Sequence, residues 1–159
     1  MKVAMTIAVG LLVVSALAVP ALAETSMLTE SEVLELYQTI HARLADDSIE
    51  GVAEAAAAIA EKVQPCECES EEKTAYQELG SAARAMEGAD LAALREQFKD
   101  LSRAMASWVE AIGAETEQLY FCPMAEGYWM QSRKDEATRN PYYGKSMLKC
   151  GNRVDEITE

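Results

Sequence analysis

The stretch LAALREQFKDLSRAMASWVEAIG, residues 91–113, carries the most regular pattern in the chain. Its large apolar residues recur alternately three and four positions apart, which places them on one face of an α-helix. They are Leu91, Leu94, Phe98, Leu101, Met105, Trp108 and Ile112. Asp90 stands before the run as an N-cap and Gly113 stands at its end, so the pattern predicts a long amphipathic helix with one buried face.

Three more amphipathic helices are predicted upstream of this one. The first begins at a capping box at residues 29–32, and the second follows a similar box at residues 47–50 and ends before Pro65. The third begins at Ser70 and ends at Gly88. The connections between the helices are short, which favours antiparallel neighbours. We therefore expect an all-α fold, an up-down four-helix bundle followed by an irregular C-terminal tail with short strands and turns.

The first 23 residues have the composition of a secretory signal peptide. A short basic start at Lys2 precedes an apolar run over residues 3–19, and the small residues 21–23 supply a cleavage site. We expect residues 1–23 to be removed, which gives a periplasmic or secreted protein with no membrane span. The rest divides into a helical bundle, residues 24–113, and a tail, residues 114–159, that packs on the bundle within the same domain.

The charge balance and the residue types restrict the function. The chain holds 27 acidic and 14 basic residues, a net charge of −13, and such an excess repels the phosphates of nucleic acids. There is no Cys-x-x-Cys motif, no glycine-rich phosphate loop and no nucleophile with an evident histidine base. The one histidine, His41, lies beside an apolar stripe, where a packed or surface residue is the expectation. We therefore expect neither an enzyme nor a nucleic-acid-binding protein.

The tail carries two pairs of sulfur-containing residues. LYFCPMAEGYWM, residues 119–130, contains Cys122 and Met124, which share a face in an extended chain. NPYYGKSMLKCG, residues 140–151, contains Met147 and Cys150, which share a side of a helical turn. Thiolate and thioether sulfur are the soft donors that suit Cu(I). If the two halves dock, the four side chains predict a Cu(I) site, with Zn(II) disfavoured because thioethers are poor zinc donors.

Two alternatives stay open at this point. An oxidising compartment makes a Cys122–Cys150 disulfide a standing alternative, and the protein would then be a metal-free envelope interaction module stapled by that bond. A second cysteine pair, Cys66 and Cys68, lies in the loop PCECES between the second and third helices. These two thiols could supply a further metal contact, or they could be oxidised or incidental.

The tail also resembles the C-terminal signature of a bacterial periplasmic family catalogued as domain of unknown function 3347. The matching residues are Cys122-Pro123-Met124, Trp129, Arg139-Asn140-Pro141-Tyr142, Gly144, Met147-Leu148 and Cys150-Gly151. The resemblance covers essentially the whole chain after the signal peptide, whereas the Cys66 and Cys68 loop departs from the family pattern. Family members occur beside, or fused to, adaptor subunits of heavy-metal efflux systems. The resemblance therefore implies periplasmic metal handling with such an adaptor, or another periplasmic copper protein, as partner.

Together these observations predict a periplasmic soft-metal binding protein. Cu(I) is the favoured metal, and a chaperone, a buffer or an efflux accessory is the expected role. The predicted ligands are Cys122, Met124, Met147 and Cys150, with Cys66 and Cys68 as a secondary pair. Trp129, Tyr142 and Tyr143 are expected to shield the metal from water and oxidant.

Overall fold

The computed structural model of the chain describes residues 30–63, 70–88 and 90–158. The helices are α1 (Glu30–Ala45), α2 (Val52–Lys62), α3 (Ser70–Arg84) and α4 (Leu91–Ala111). The strands are β1 (Glu117–Cys122), β2 (Gly127–Ser132) and β3 (Asn152–Val154), and a short 3₁₀-helix covers Gly144–Ser146. Within these ranges no helix is both long enough and apolar enough to cross a membrane. The predicted signal peptide, the cap at Thr29, and Cys66 and Cys68 lie outside the described residues.

The helix predicted for residues 91–113 is confirmed. Asp90 caps it as expected, because its carboxylate accepts a hydrogen bond from the Ala93 backbone N–H at 2.9 Å. Gly113 follows the helix with φ +65°, the left-handed conformation that glycine adopts most easily. The apolar stripe faces the core, and Phe98 and Leu101 are completely buried. Each helix packs against its successor, and α1 also contacts α4 where Tyr37 stacks on Phe98 with ring centroids 5.3 Å apart.

The tail is not irregular, and the prediction of an all-α fold is wrong. Its three strands form an antiparallel sheet in the order β2-β1-β3, and β2 packs along α4 and reaches α1. The protein is therefore an α+β protein with four helices and a small sheet. One continuous cluster of buried apolar side chains joins the helices to the sheet, so the sheet is part of the core rather than an appendage.

Both faces of the sheet are covered. On one face Tyr128 and Met130 lie against the helices, where Arg103 of α4 sits 5.1 Å from the centre of the Tyr128 ring. On the other face Tyr120 and Trp129 stack on each other and are covered by residues 133–151. Every residue of β2 except the last is consequently buried. This double coverage explains why the strand sequence lacks the alternation of apolar and polar residues that marks a half-exposed strand.

The second helix begins differently from the prediction. Residues 47–50 do not form a capping box, since α2 starts at Val52 and its N-cap is Gly51, at φ +76° and without a side-chain cap. Asp47 instead adopts a left-handed conformation, φ +59°, and its carboxylate binds Arg95 of α4 at 2.7 Å. A long-range ion pair has replaced the local cap. The third helix is also shorter than predicted, because it ends at Arg84 rather than at Gly88.

Candidate functional site

The structure brings the two tail cysteines together, as the shared chemistry of their residue types predicted. The sulfur atoms of Cys122 and Cys150, which are 28 residues apart in sequence, lie 3.3 Å from each other. Both side chains are free thiols. Cys122 ends strand β1 and is completely buried, whereas Cys150 lies just before β3 and is half-buried. The pair therefore has one interior sulfur and one that solvent can reach.

Local backbone geometry delivers Cys150 to this position. The chain leaves the 3₁₀-helix and turns so that the Cys150 backbone N–H donates to the Met147 carbonyl at 2.9 Å. Gly151 follows at φ +125°, and a Cβ atom on it would collide with the Trp129 ring. Only glycine combines this backbone conformation with so close an approach. The backbone at Gly151 thus packs directly against the Trp129 ring, and the absence of a side chain at Gly151 makes this contact possible.

Asn140 connects two parts of the loop that carries Cys150, residues 133–151. Its importance was missed in the sequence. Its side chain is completely buried, and its Nδ2 donates to the Cys150 carbonyl oxygen at 2.7 Å. Its Oδ1 accepts hydrogen bonds from the Tyr142 and Tyr143 backbone N–H groups at 2.8 and 3.1 Å. The side-chain amide of Asn140 therefore fixes the middle of the loop, at residues 140–143, to Cys150.

Gln131 holds the first part of the same loop against the sheet, and it too was missed. It is completely buried in β2. Its Nε2 donates to the Ala137 carbonyl at 2.6 Å, and its Oε1 accepts the Arg139 backbone N–H at 3.1 Å. The Trp129 indole N–H also donates to Oε1, at 3.3 Å. The available sequence signal was a polar residue inside an otherwise apolar strand, which suggests a hydrogen-bonded interior position.

Helix α1 supplies a third anchor through His41. Of the two positions expected for this residue, packed or on the surface, the structure shows the packed one, because the side chain is buried and its Nε2 lies 2.7 Å from the Arg139 carbonyl oxygen. Burial lowers the pKa of His41 to about 4, although the hydrogen bond to Arg139 acts in the opposite direction. The ring is therefore neutral at pH 7 and donates its N–H to the loop. Arg139 also forms an ion pair with Asp46 at 2.6 Å.

The surroundings of the two thiols make them electrostatically unequal. Burial raises the pKa of Cys122, but hydrogen bonds to its sulfur outweigh burial and leave the pKa below its ordinary value. The donors are, in decreasing order of effect, the Ala125 backbone, the Cys150 thiol, the Asn140 side chain and the Met124 backbone. The hydrogen bond to Cys122 raises the pKa of Cys150, as do burial and the negative charge on Cys122. Cys122 is thus the first of the pair to become a thiolate.

The two predicted thioether ligands lie on the surface. Met124, in the turn between β1 and β2, is 61% exposed, and Met147, after the 3₁₀-helix, is 36% exposed. Neither is buried with the thiol pair. The large apolar side chains exposed among the described residues are these two and Ile49. Both methionines occupy the chain segments that carry the cysteines, since Met124 is two residues after Cys122 and Met147 three residues before Cys150.

Buried aromatic rings pack against glycines that neighbour the two thiols, since Trp129 lies against Gly151 and Tyr142 lies against Gly127, the β2 residue opposite Cys122. Trp129 is completely buried, and Tyr142 lies edge-on to it with ring centroids 6.1 Å apart. The Tyr142 hydroxyl donates to the Tyr128 carbonyl, and the Tyr143 hydroxyl donates to the Met124 carbonyl at 3.1 Å. Tyr143 therefore ties the hairpin turn to the loop. These contacts place apolar surface on the interior side of the cysteine pair.

The potential metal donors that the structure brings together are the sulfurs of Cys122 and Cys150. Across residues 30–63, 70–88 and 90–158, no group of three or more His, Cys, Asp or Glu side chains is arranged to hold a metal ion. Thiolate sulfur is a donor that suits soft metal ions. Two thiols at this distance are also able to form a disulfide.

No protein-family model, curated protein or solved structure matches this chain. The resemblance to the periplasmic family consequently stays a prediction. The fold and the site define the class of protein by themselves. It is an α+β protein whose C-terminal sheet and loop bring two cysteines together, one buried and one half-buried.

Proposed function

We propose that the protein is a periplasmic soft-metal binding protein that carries Cu(I) as a chaperone, a buffer or an efflux accessory. The observation that carries the proposal is the 3.3 Å distance between the sulfurs of Cys122 and Cys150. The export signal predicted from the sequence of residues 1–23 supports a location in the periplasm or outside the cell. A heavy-metal efflux adaptor or another periplasmic copper protein is the proposed partner.

The cysteine pair fits a soft metal with little rearrangement. With metal–sulfur bonds of about 2.3 Å, two thiolates on one ion stand roughly 4 Å apart. The observed 3.3 Å separation needs to widen by less than about 1 Å, and rotation of the half-buried Cys150 side chain is enough for that. Cys122 supplies a thiolate readily because its hydrogen bonds lower its pKa. The Cys150 proton leaves when the metal binds.

The exposed methionines have a different role from the cysteines in this proposal. Met124 and Met147 present uncharged sulfur at the surface, where it can bind Cu(I) weakly and release it. Thioethers bind no proton near pH 7, so their affinity for the metal does not change with pH. We therefore assign them to entry, exit and selectivity, and we assign the tight binding to Cys122 and Cys150.

The second candidate function is a metal-free interaction module with a Cys122–Cys150 disulfide. The same distance favours it, because the sulfurs need to approach by only about 1.3 Å to reach a bond length near 2 Å. An oxidising compartment promotes this reaction. The bond would close a loop of residues 122–150 and stabilise the sheet.

A comparison of cysteine variants separates the two functions. Reduced wild-type protein and the Cys122→Ser/Cys150→Ser variant are titrated anaerobically with Cu(I) in competition with a chromophoric chelator. Cys66→Ser/Cys68→Ser is the matched control, since it removes the same number of thiols elsewhere. We expect the tail variant to lose tight binding and the control to retain it.

Two outcomes would contradict the copper proposal. One is equal copper uptake by wild type and the tail variant. The other is protein isolated anaerobically and without added reductant that contains no copper on elemental analysis and no tail thiols on thiol counting. The second result, with a lower Tm in the tail variant than in the oxidised wild type, would favour the stapled module.

A further inference from the structure

The segment that carries Cys150 is basic, although the protein is strongly acidic. The chain has 27 acidic residues among 159, yet residues 137–154 contain none. The same 18 positions contain four basic residues, Arg139, Lys145, Lys149 and Arg153. The segregation concentrates positive charge around one of the two metal-binding thiols of the proposed site.

Three of these basic residues flank the accessible thiol along the chain. Lys145, Lys149 and Arg153 are exposed, and in the part of the chain that the structure describes none of their side chains forms an ion pair. Lys149 directly precedes Cys150 and is two residues after Met147. Arg153 pairs with Tyr120 in the sheet and so belongs to the same face as Cys122. We call these three residues the basic rim.

Acids lie beside the basic rim at its Arg153 end, where the exposed Asp155 and Glu156 line the same cleft as Arg153, whereas the acids beside Arg139 and Lys145 are already engaged. Asp46 is paired with Arg139, and Asp47 is paired with Arg95 while it accepts the Lys145 backbone N–H. Glu126, in the hairpin turn, lies on the Met124 side of the site. The two chain segments that carry the methionines therefore differ in charge. The segment with Met147 is basic, whereas the hairpin turn with Met124 has an exposed carboxylate, that of Glu126.

The size of a ligand decides which charge it meets. At physiological ionic strength the Debye length is about 8 Å, so a small ion beside Cys150 interacts mainly with the basic rim. A flat membrane or a large anionic surface approaches close to the remaining, acidic parts of the molecule as well and is repelled. The charge distribution thus favours a compact anion over an extended one.

We propose that the site receives its metal as a small anionic Cu(I) complex, whose negative groups bind the basic rim while the metal passes to Cys150 and Cys122. This inference rests on the proposed copper function. The transfer is a ligand exchange with no redox change. A bond between copper and the carrier breaks as a bond between copper and cysteine sulfur forms, the Cys150 proton goes to water, and the carrier leaves with its negative charge.

The test compares two Cu(I) donors that share a phenanthroline core but differ in charge. The complex with sulfonated bathocuproine is anionic, and the complex with neocuproine is cationic. Stopped-flow absorbance gives the second-order rate of transfer to reduced protein. Lys149→Glu alters the basic rim, and Lys73→Glu, on the exposed surface of α3, is the control with the same change in net charge. Equilibrium Cu(I) affinity is measured for each variant.

We expect Lys149→Glu to slow transfer from the anionic donor about tenfold relative to Lys73→Glu at low ionic strength. Transfer from the cationic donor should be equal or faster, and both differences should vanish at high salt. Equal rates for the two variants, with tight copper binding intact, would overturn the inference and leave the copper function standing. Failure of every variant to bind copper would overturn both. A third outcome is that the wild-type protein sediments with anionic phospholipid vesicles and the Lys149→Glu variant does not. This result would show that the basic rim binds a membrane, and it would also overturn the inference.

Discussion

Replacement of Asn140 by Ala should weaken both the fold and the site. The change removes the hydrogen-bond partner of three backbone groups, the Cys150 carbonyl and the Tyr142 and Tyr143 N–H groups. The Tyr142 N–H lies in a buried hydrogen bond, so leaving it unpaired costs about 1–3 kcal/mol. Water can reach the other two groups more easily, and each lost bond there costs about 0.5–1.5 kcal/mol. The expected loss in the free energy of unfolding is about 2–6 kcal/mol.

Asn140→Asp separates the structural effect from the effect on the thiols. The carboxylate keeps the acceptor for Tyr142 and Tyr143 but has no donor for the Cys150 carbonyl or the Cys122 sulfur. We expect the pKa of Cys122 to rise because the variant loses a hydrogen bond and gains a nearby negative charge.

Two measurements on the reduced protein test these expectations. Urea denaturation gives the free energy of unfolding, and thiolate absorbance as a function of pH gives the pKa of the first thiol to ionise. A loss below about 1 kcal/mol in Asn140→Ala, together with an unchanged pKa in Asn140→Asp, would refute the assignment of Asn140 as the residue that positions the cysteine pair.

Three further predictions test other parts of the structure. Leu101→Ala should lower the free energy of unfolding by about 2–5 kcal/mol, because Leu101 is completely buried in the core, and urea denaturation measures it. Cys122→Ser should weaken Cu(I) binding far more than Met124→Leu or Met147→Leu. The methionine changes should instead reduce the preference for Cu(I) over Zn(II), and anaerobic competition titrations measure both effects. Protonation of His41 should destabilise the protein in acid. The pKa of His41 is about 4 in the folded protein and near 6.5 in the unfolded chain, so between pH 6.5 and pH 4 the unfolded chain binds a proton that the folded protein does not. Stability should fall by up to about 3 kcal/mol as pH drops from 6.5 towards 4, and His41→Gln should flatten this dependence in denaturation curves recorded against pH.

The helices were largely predictable because each depends on local spacing. In α4 the alternation of three and four residues, the cap at Asp90 and the glycine at 113 all indicate the same element, and all are observed. The failure at residues 47–50 shows the limit of local reasoning. Asp47 satisfies the sequence rule for a cap, but its carboxylate gains more from Arg95, which is 48 residues away. A sequence pattern does not reveal such a competing partner.

The sheet and the loop anchors were harder to predict for a related reason. A strand covered on both faces loses the period-two pattern by which strands are recognised, so β1 and β2 were predicted only as short strands in an irregular tail and not as a sheet within the core. Asn140 and Gln131 are polar residues whose role depends on burial. Burial follows from the packing of residues 133–151 over the sheet, a contact between segments that no single stretch encodes. The proximity of Cys122 and Cys150 was predictable because the residue types indicated shared chemistry.

The anchors of the loop make the site depend on the helices. Gln131 fixes the loop to β2, whereas His41 and Asp46 fix it to α1 through Arg139. Cys122 belongs to the sheet and Cys150 to the loop, so their 3.3 Å separation exists only while these anchors hold. Under the copper function proposed above, preorganisation of this kind would lower the entropic cost of bringing the two ligands together. The metal affinity of the reduced protein should accordingly fall whenever an anchor is removed, even where no sulfur is touched.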